Sequence, residues 1–246
     1  MKLFSESNYK LNKGDGRYAA VGLALAPARH SGHDVCPESG VCASVCTLWF
    51  SGRTVFPLVR DAMIRRTRFL MEDRAAFIEQ LHAEIEQESK RVRALGLWPL
   101  FRLNVASDLD WSGVARAFPR ERFYDYTKVW SRCQQVLSGR WPANYQLTYS
   151  FSERAVPGNC ARYLDCGRNV SVAFSVEYVP QWDKLGKLPR TYVIAHRRYR
   201  VVDGDRHDFR TRSHDGSGVV VGLRFKGSRQ RPQYQTAIER GFVVDP

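Results

Sequence analysis

Nothing in these 246 residues approaches ~18 consecutive apolar positions, so a membrane-spanning helix is not expected. The opening stretch, MKLFSESNYKLNKGDGR, has no apolar core of the kind a secretory leader needs, which points to a cytoplasmic address. There is no internal repeat, no low-complexity tract and no linker long enough to divide domains. Acids are scarce: 25 Asp and Glu stand against 38 Lys and Arg, a formal charge of +13. With 43% hydrophobic residues the chain reads as a packed globular protein, not a disordered or collagen-like one. One domain is expected, with a core over about residues 19–226 and a basic extension over 227–246.

Short β-like runs recur at Ala19–Ala26, Leu100–Ala106, Arg122–Tyr126, Tyr145–Ser150, Val170–Ser175, Tyr192–Ala195 and Val219–Phe225. Several are apolar at successive positions, as strands covered on both faces are. The strongest helical pattern spans Leu58 to Arg93, where Met63, Leu70, Phe77, Ile78, Leu81 and Ile85 form one stripe. A break near Met71–Asp73 divides it. Shorter helices are expected at Ser112–Phe118, Val129–Leu137, Glu153–Leu164 and Tyr178–Leu185. This alternation predicts an α/β fold, a partial or complete (β/α) barrel of about six to eight strands.

Of the six cysteines, Cys36, Cys42 and Cys46 crowd together in HSGHDVCPESGVCASVC, directly after the first expected strand. In a reducing compartment such a cluster favours metal or redox chemistry over disulfides. Three thiolates on one loop can hold a metal or an iron–sulfur cluster and leave a position open, with His30 and His33 within reach as a fourth ligand. Three small buried hydrophobes would be the bland reading, but the neighbours are Gly, Pro and His. Cys133 reads as core, and Cys160 and Cys166 repeat the x5 spacing as a weaker second half-site.

In parallel α/β folds chemistry gathers at the carboxyl ends of strands. Those ends here carry Asn104 to Trp111 (NVASDLDW), then Asp125 and Lys128, then Ser152 and Glu153, then Ser175 and Glu177, and finally His196. Each has a plainer alternative as a helix cap or a local ion pair. Their recurrence at successive ends predicts a shared rim beside the cysteine loop. A further acidic run, Asp203, Asp205 and Asp208, reads as a polar turn, with a cation loop as the alternative.

Charge concerns partners. Between Arg190 and Arg231 lie eleven Lys and Arg against four acids, mixed with tyrosines. Nucleic acid is therefore an expected partner, with Arg197, Arg198, Arg200, Arg224, Lys226, Arg229 and Arg231 as contacts. A solvated basic surface explains the same count.

The order C-P-x-S-x-x-C-x-x-x-C-x6-R from Cys36 to Arg53, then NVASDLDW, FYDYTK and YSFSE, resembles the phage gene product 88 family. It is also similar to phage proteins of the radical S-adenosylmethionine type. The second resemblance implies a partial barrel in which Cys36, Cys42 and Cys46 hold a [4Fe–4S] cluster. Its open iron would bind S-adenosylmethionine, whose reductive cleavage gives a 5′-deoxyadenosyl radical. Ser107, Asp108 and Ser152 would hold that cofactor, and Lys128 and Glu153 the substrate, so the expected activity is modification of a base or nucleotide. Two alternatives stand beside it. One is a zinc-containing, base-exchanging transglycosylase using Asp108 and Asp125 as paired carboxylates. The other is a non-catalytic nucleic-acid-binding protein with structural zinc.

Overall fold

The computed structural model describes residues 1–4, 16–50, 52–176, 178–179, 184–226 and 232–246. Among them the elements run β1 (Tyr18–Gly22), α1 (Val41–Ser44), α2 (Thr47–Phe50), a 3-10 turn (Gly52–Val55), α3 (Pro57–Glu72), α4 (Arg74–Ala94) and β2 (Trp98–Arg102). Next come α5 (Ser112–Ala117), β3 (Arg122–Thr127), α6 (Trp130–Leu137), β4 (Tyr145–Ser150), α7 (Pro157–Asp165) and β5 (Val170–Phe174). The chain ends with β6 (Tyr178–Val179), β7 (Lys184–Leu185), β8 (Thr191–Ile194), β9 (Arg197–Asp203), α8 (Arg212–Asp215), β10 (Val220–Arg224), α9 (Pro232–Glu239) and β11 (Val243–Val244).

A nine-stranded sheet organises the molecule, in the order β1-β2-β3-β4-β5-β10-β9-β8, with β11 also on β5. All its pairs are parallel except β8 with β9. The α/β expectation holds in this form, and strand pairing does not close the sheet into a ring.

Alternation along each strand sends side chains to opposite faces. Phe101, Phe123, Tyr145, Leu147, Tyr149, Val170 and Val172 meet the helices in one large core with Phe77, Leu81, Ile85, Val114, Cys133 and Leu164. The predicted stripe on the long helical segment is buried as expected at Met63, Leu70, Phe77, Leu81 and Ile85. Burying each side chain of this size contributes about 1.5–3 kcal/mol. The segment divides at Asp73, whose carboxylate caps α4 by accepting from Ala76 N at 3.0 Å, while Pro57 opens α3.

On the other face Leu100 and Tyr124 pack against Phe209, with Tyr18 and Ala20 beside them. Phe209 belongs to the connection from β9 to β10, so this parallel crossover, which includes α8, packs over the face opposite the main core. Arg102 reaches Asp208 at 2.6 Å, and Arg212 N donates to Gln146 Oε1.

Two expectations are corrected. Tyr178–Leu185 is not a helix: its described residues form the antiparallel pair β6–β7. Val179 precedes Pro180, and a residue before proline is driven away from helical backbone. The described part of 227–246 is not an appendage either. Tyr234, Ala237, Phe242 and Val243 are buried with Val41 and Phe225, and β11 pairs with Ala173 and Phe174. No described helix is long and apolar enough to cross a membrane.

Candidate functional site

A cavity of about 360 Å3 opens at the carboxyl ends of β2, β3, β4, β5 and β10. Cys36, Cys42 and Cys46 line it from the loop after β1, and Ser107, Asp108, Lys128 and Ser150 line it from the strand ends. The expected convergence of the cysteine loop with a polar rim is therefore present in space.

The loop is built by its own turns and one distant carboxylate. Cys36 Sγ accepts from Ala28 N at 3.3 Å, and Cys36 N donates to Asp34 Oδ1 at 2.9 Å. Gly40 adopts φ 48° and ψ −129°, and a Cβ there would lie 1.9 Å from Glu153 Oε1. Glycine is required at that point. The close approach lets Glu153 Oε1 accept from Val41 N at 2.9 Å, which anchors α1 and Cys42 behind the cavity wall. Glu153 thus supports the loop from outside the cavity lining, and Ser152, also outside it, is buried beside Arg154 N.

Burial pushes the Cys36 thiol up to about 12 and the Cys46 thiol up to about 11. Both are protonated at neutral pH, and a metal would have to displace those protons. Burial works against the Lys128 ammonium, yet Cys42, Asp108 and Cys36 outweigh it and hold its pKa above the usual value. Lys128 Nζ donates to Ser150 Oγ at 3.3 Å and sits 5.7 Å above the Phe242 ring.

Asp108 is committed to structure as well as to the rim. Its Oδ1 meets Arg132 Nη1 at 2.5 Å, and its Oδ2 accepts from Lys128 N at 2.8 Å. Asn104 fixes the preceding loop: its Oδ1 accepts from Ser107 Oγ, Leu109 N and Trp111 Nε1. Asp125 points away from the cavity. It is fully buried, and accepts from Leu103 N, Asn104 N and Tyr145 Oη, the last at 2.6 Å. Burial raises its pKa to about 7 despite the opposing pull of Arg102 and these donors. A carboxylate pair of Asp108 and Asp125 across one substrate is not what this geometry offers.

Arg102 and Tyr126 line the cavity without having been singled out from the sequence, and Asp205 and Asp208 line it from the acidic run. Arg102, paired with Asp208, lies with its guanidinium 5.2 Å over the Tyr126 ring. Asp205, first read as part of a polar turn, accepts from Arg224 N and pairs with Lys226 at 2.9 Å. Two of the expected nucleic-acid contacts are thereby spent inside the fold, since Arg224 is buried against Asp203 and Asp205. Arg197, Arg198 and Arg200 are exposed on β9, and Arg197 pairs with Asp165. Arg229, Arg231 and Glu177 lie outside the described residues.

Among the described residues no three His, Cys, Asp or Glu side chains are grouped closely enough to hold a metal ion. His30 stacks on Trp49 at 4.3 Å, and neither His30 nor His33 lines the cavity. The donor chemistry nevertheless fits a soft centre: three thiols with space in front of them, and His207 as the imidazole in the cavity lining. Cys133 and Cys160 are core residues, and Cys166 is exposed, so no second half-site forms.

The model of the family described as gene product 88 matches residues 2–246. Neither the comparison with curated proteins nor that with solved structures returns a match.

Proposed function

The chain belongs to the gene product 88 family, and from that premise we propose that it is a metal–thiolate enzyme, of radical S-adenosylmethionine-like type, that modifies a base or nucleotide. One observation carries the reading: the three clustered cysteines and the polar strand ends line a single cavity. The mostly parallel sheet, with the main helix-packed core on one face and the cavity at its carboxyl ends, is read as a partial (β/α) barrel.

Cys36, Cys42 and Cys46 would hold a [4Fe–4S] cluster. When bound with S-adenosylmethionine, that cluster supplies one-electron chemistry at an otherwise unreactive C–H bond. The protein's part is positioning and exclusion of water. Ser107 and Asp108 face the cavity from a loop locked by Asn104, so they can orient the polar end of a cofactor without reorganising. Lys128, held between Ser150 and the cysteine wall, can bind an anionic group or deliver a proton from Nζ. Arg102 and Tyr126 offer a cationic edge and an aromatic face suited to a base. Glu153 supports the loop from behind it, and Ser152 lies buried in the turn that carries Glu153.

The test is metal analysis after purification without oxygen. A brown protein with roughly four irons and broad absorbance near 400 nm is expected, lost in Cys36→Ser, Cys42→Ser and Cys46→Ser. A colourless protein containing one zinc would sink the iron reading and leave a thiolate-held zinc in its place.

A further inference from the structure

A second cavity, about 330 Å3, lies beside the amino end of β10 and is lined by three arginines, Arg200, Arg206 and Arg212. All three side chains are exposed, and none forms an ion pair among the described residues. The two carboxylates in the same wall are already neutralised. Asp203 is taken by Arg224 at 2.8 Å, and Asp215 by the fully buried Arg210 at 3.0 Å. The cavity therefore presents three guanidinium groups outside any close ion pair, Arg206 still feeling Asp203, with Ser213 as a further donor.

Arg212 acts on a neighbour as well: burial, with Arg212 close by, lowers the pKa of Arg168. Arg200 lies close over the backbone of Gly216: a Cβ there, at φ +89°, would come within 3.1 Å of Arg200 Nη2. Planar guanidinium forks lining one cavity, each outside a close ion pair, match the oxygens of phosphate better than those of any neutral ligand.

We propose that this cavity is a phosphate-binding site, cradled by Arg200, Arg206 and Arg212, that takes the phosphodiester backbone of a single-stranded nucleic acid. It is independent of the thiol chemistry. A free polyphosphate would present the same oxygens, so two probes separate the sources: inorganic pyrophosphate and a short oligodeoxythymidylate, each titrated into the full chain at low salt.

Each of Arg200→Gln, Arg206→Gln and Arg212→Gln should weaken oligonucleotide binding about ten-fold. The triple variant should lower the slope of log affinity against log salt by about two. Loss of pyrophosphate binding with unchanged oligonucleotide binding would support the site and assign it to a small phosphorylated ligand. Arg65→Gln, on the exposed face of α3, is the control. The proposal is overturned if the wild type binds neither probe, if the triple variant binds both as the wild type does, or if Arg65→Gln weakens them equally. Since the arginines are exposed, folding is checked by the thermal transition, and the single variants stand if the triple variant unfolds. No readout involves iron, so this result and the metal analysis can fail separately.

Discussion

Asp125 shows how a candidate catalytic carboxylate becomes a structural one. Tyr124 and Tyr126 face the side of the sheet that holds Phe209 and the cavity, so strand alternation turns Asp125 towards Tyr145 and the helix layer. Lys128 keeps the parity of Tyr126 and reaches the cavity. That distinction was legible in FYDYTK, because a period of two separates the aspartate from the lysine. The folded-state pKa of about 7 lies above the unfolded value of 3.8, so the native state retains a proton that the unfolded chain releases between them. Stability should therefore fall as pH rises through that window and level off above it, by about 4 kcal/mol in all. Denaturant unfolding of the wild type and Asp125→Asn at several pH values checks this. The variant should be less stable throughout and should lack this component, because its amide cannot accept from all three donors.

The cysteine loop is an element without much regular structure of its own, and its shape depends on Glu153. The carboxylate satisfies Val41 N in a place where Gly40 allows close approach. Glu153→Ala should leave that N–H without a partner and cost about 1–3 kcal/mol, while Glu153→Gln, which keeps an acceptor oxygen, should cost less. Faster reaction of Cys42 and Cys46 with a thiol reagent in Glu153→Ala, at rates near wild type in Glu153→Gln, is the expected readout. The sequence places Glu153 at a strand end, as expected for the rim, but nothing local reveals that its partner is the backbone of the loop 112 positions away. Helices were read more faithfully. The α3–α4 division at Asp73 follows from apolar spacing and a side chain able to cap, both of which are local properties.

Across the molecule, the β9–β10 connection joins the two cavities. It contributes Asp205 and Asp208 to the cysteine cavity and Arg212 to the arginine cavity, and between them it buries Phe209 against β1, β2 and β3. Phe209→Ala should remove about 3–5 kcal/mol. The loss should appear as one earlier thermal transition, with no separate early phase, since the ring contacts strands that also carry the main core. A biphasic melt would show that this connection folds apart from the sheet. The strong positive charge of the segment from Arg190 to Arg231, visible in the composition, is redistributed by the same connection. Arg210 and Arg224 turn inward to aspartates, and Arg200, Arg206 and Arg212 remain outside.

Periodicity was enough to announce parallel strands alternating with helices, and the crowding of Cys36, Cys42 and Cys46 was enough to point to the loop that lines the larger cavity. Both are short-range properties: side-chain repeats of two and 3.6, and donors a few residues apart. Which charges neutralise one another was settled only when the chain closed on itself. Arg102 finds Asp208 106 positions later, and burial then makes each pairing decisive, because a buried charge left alone is far too costly to survive.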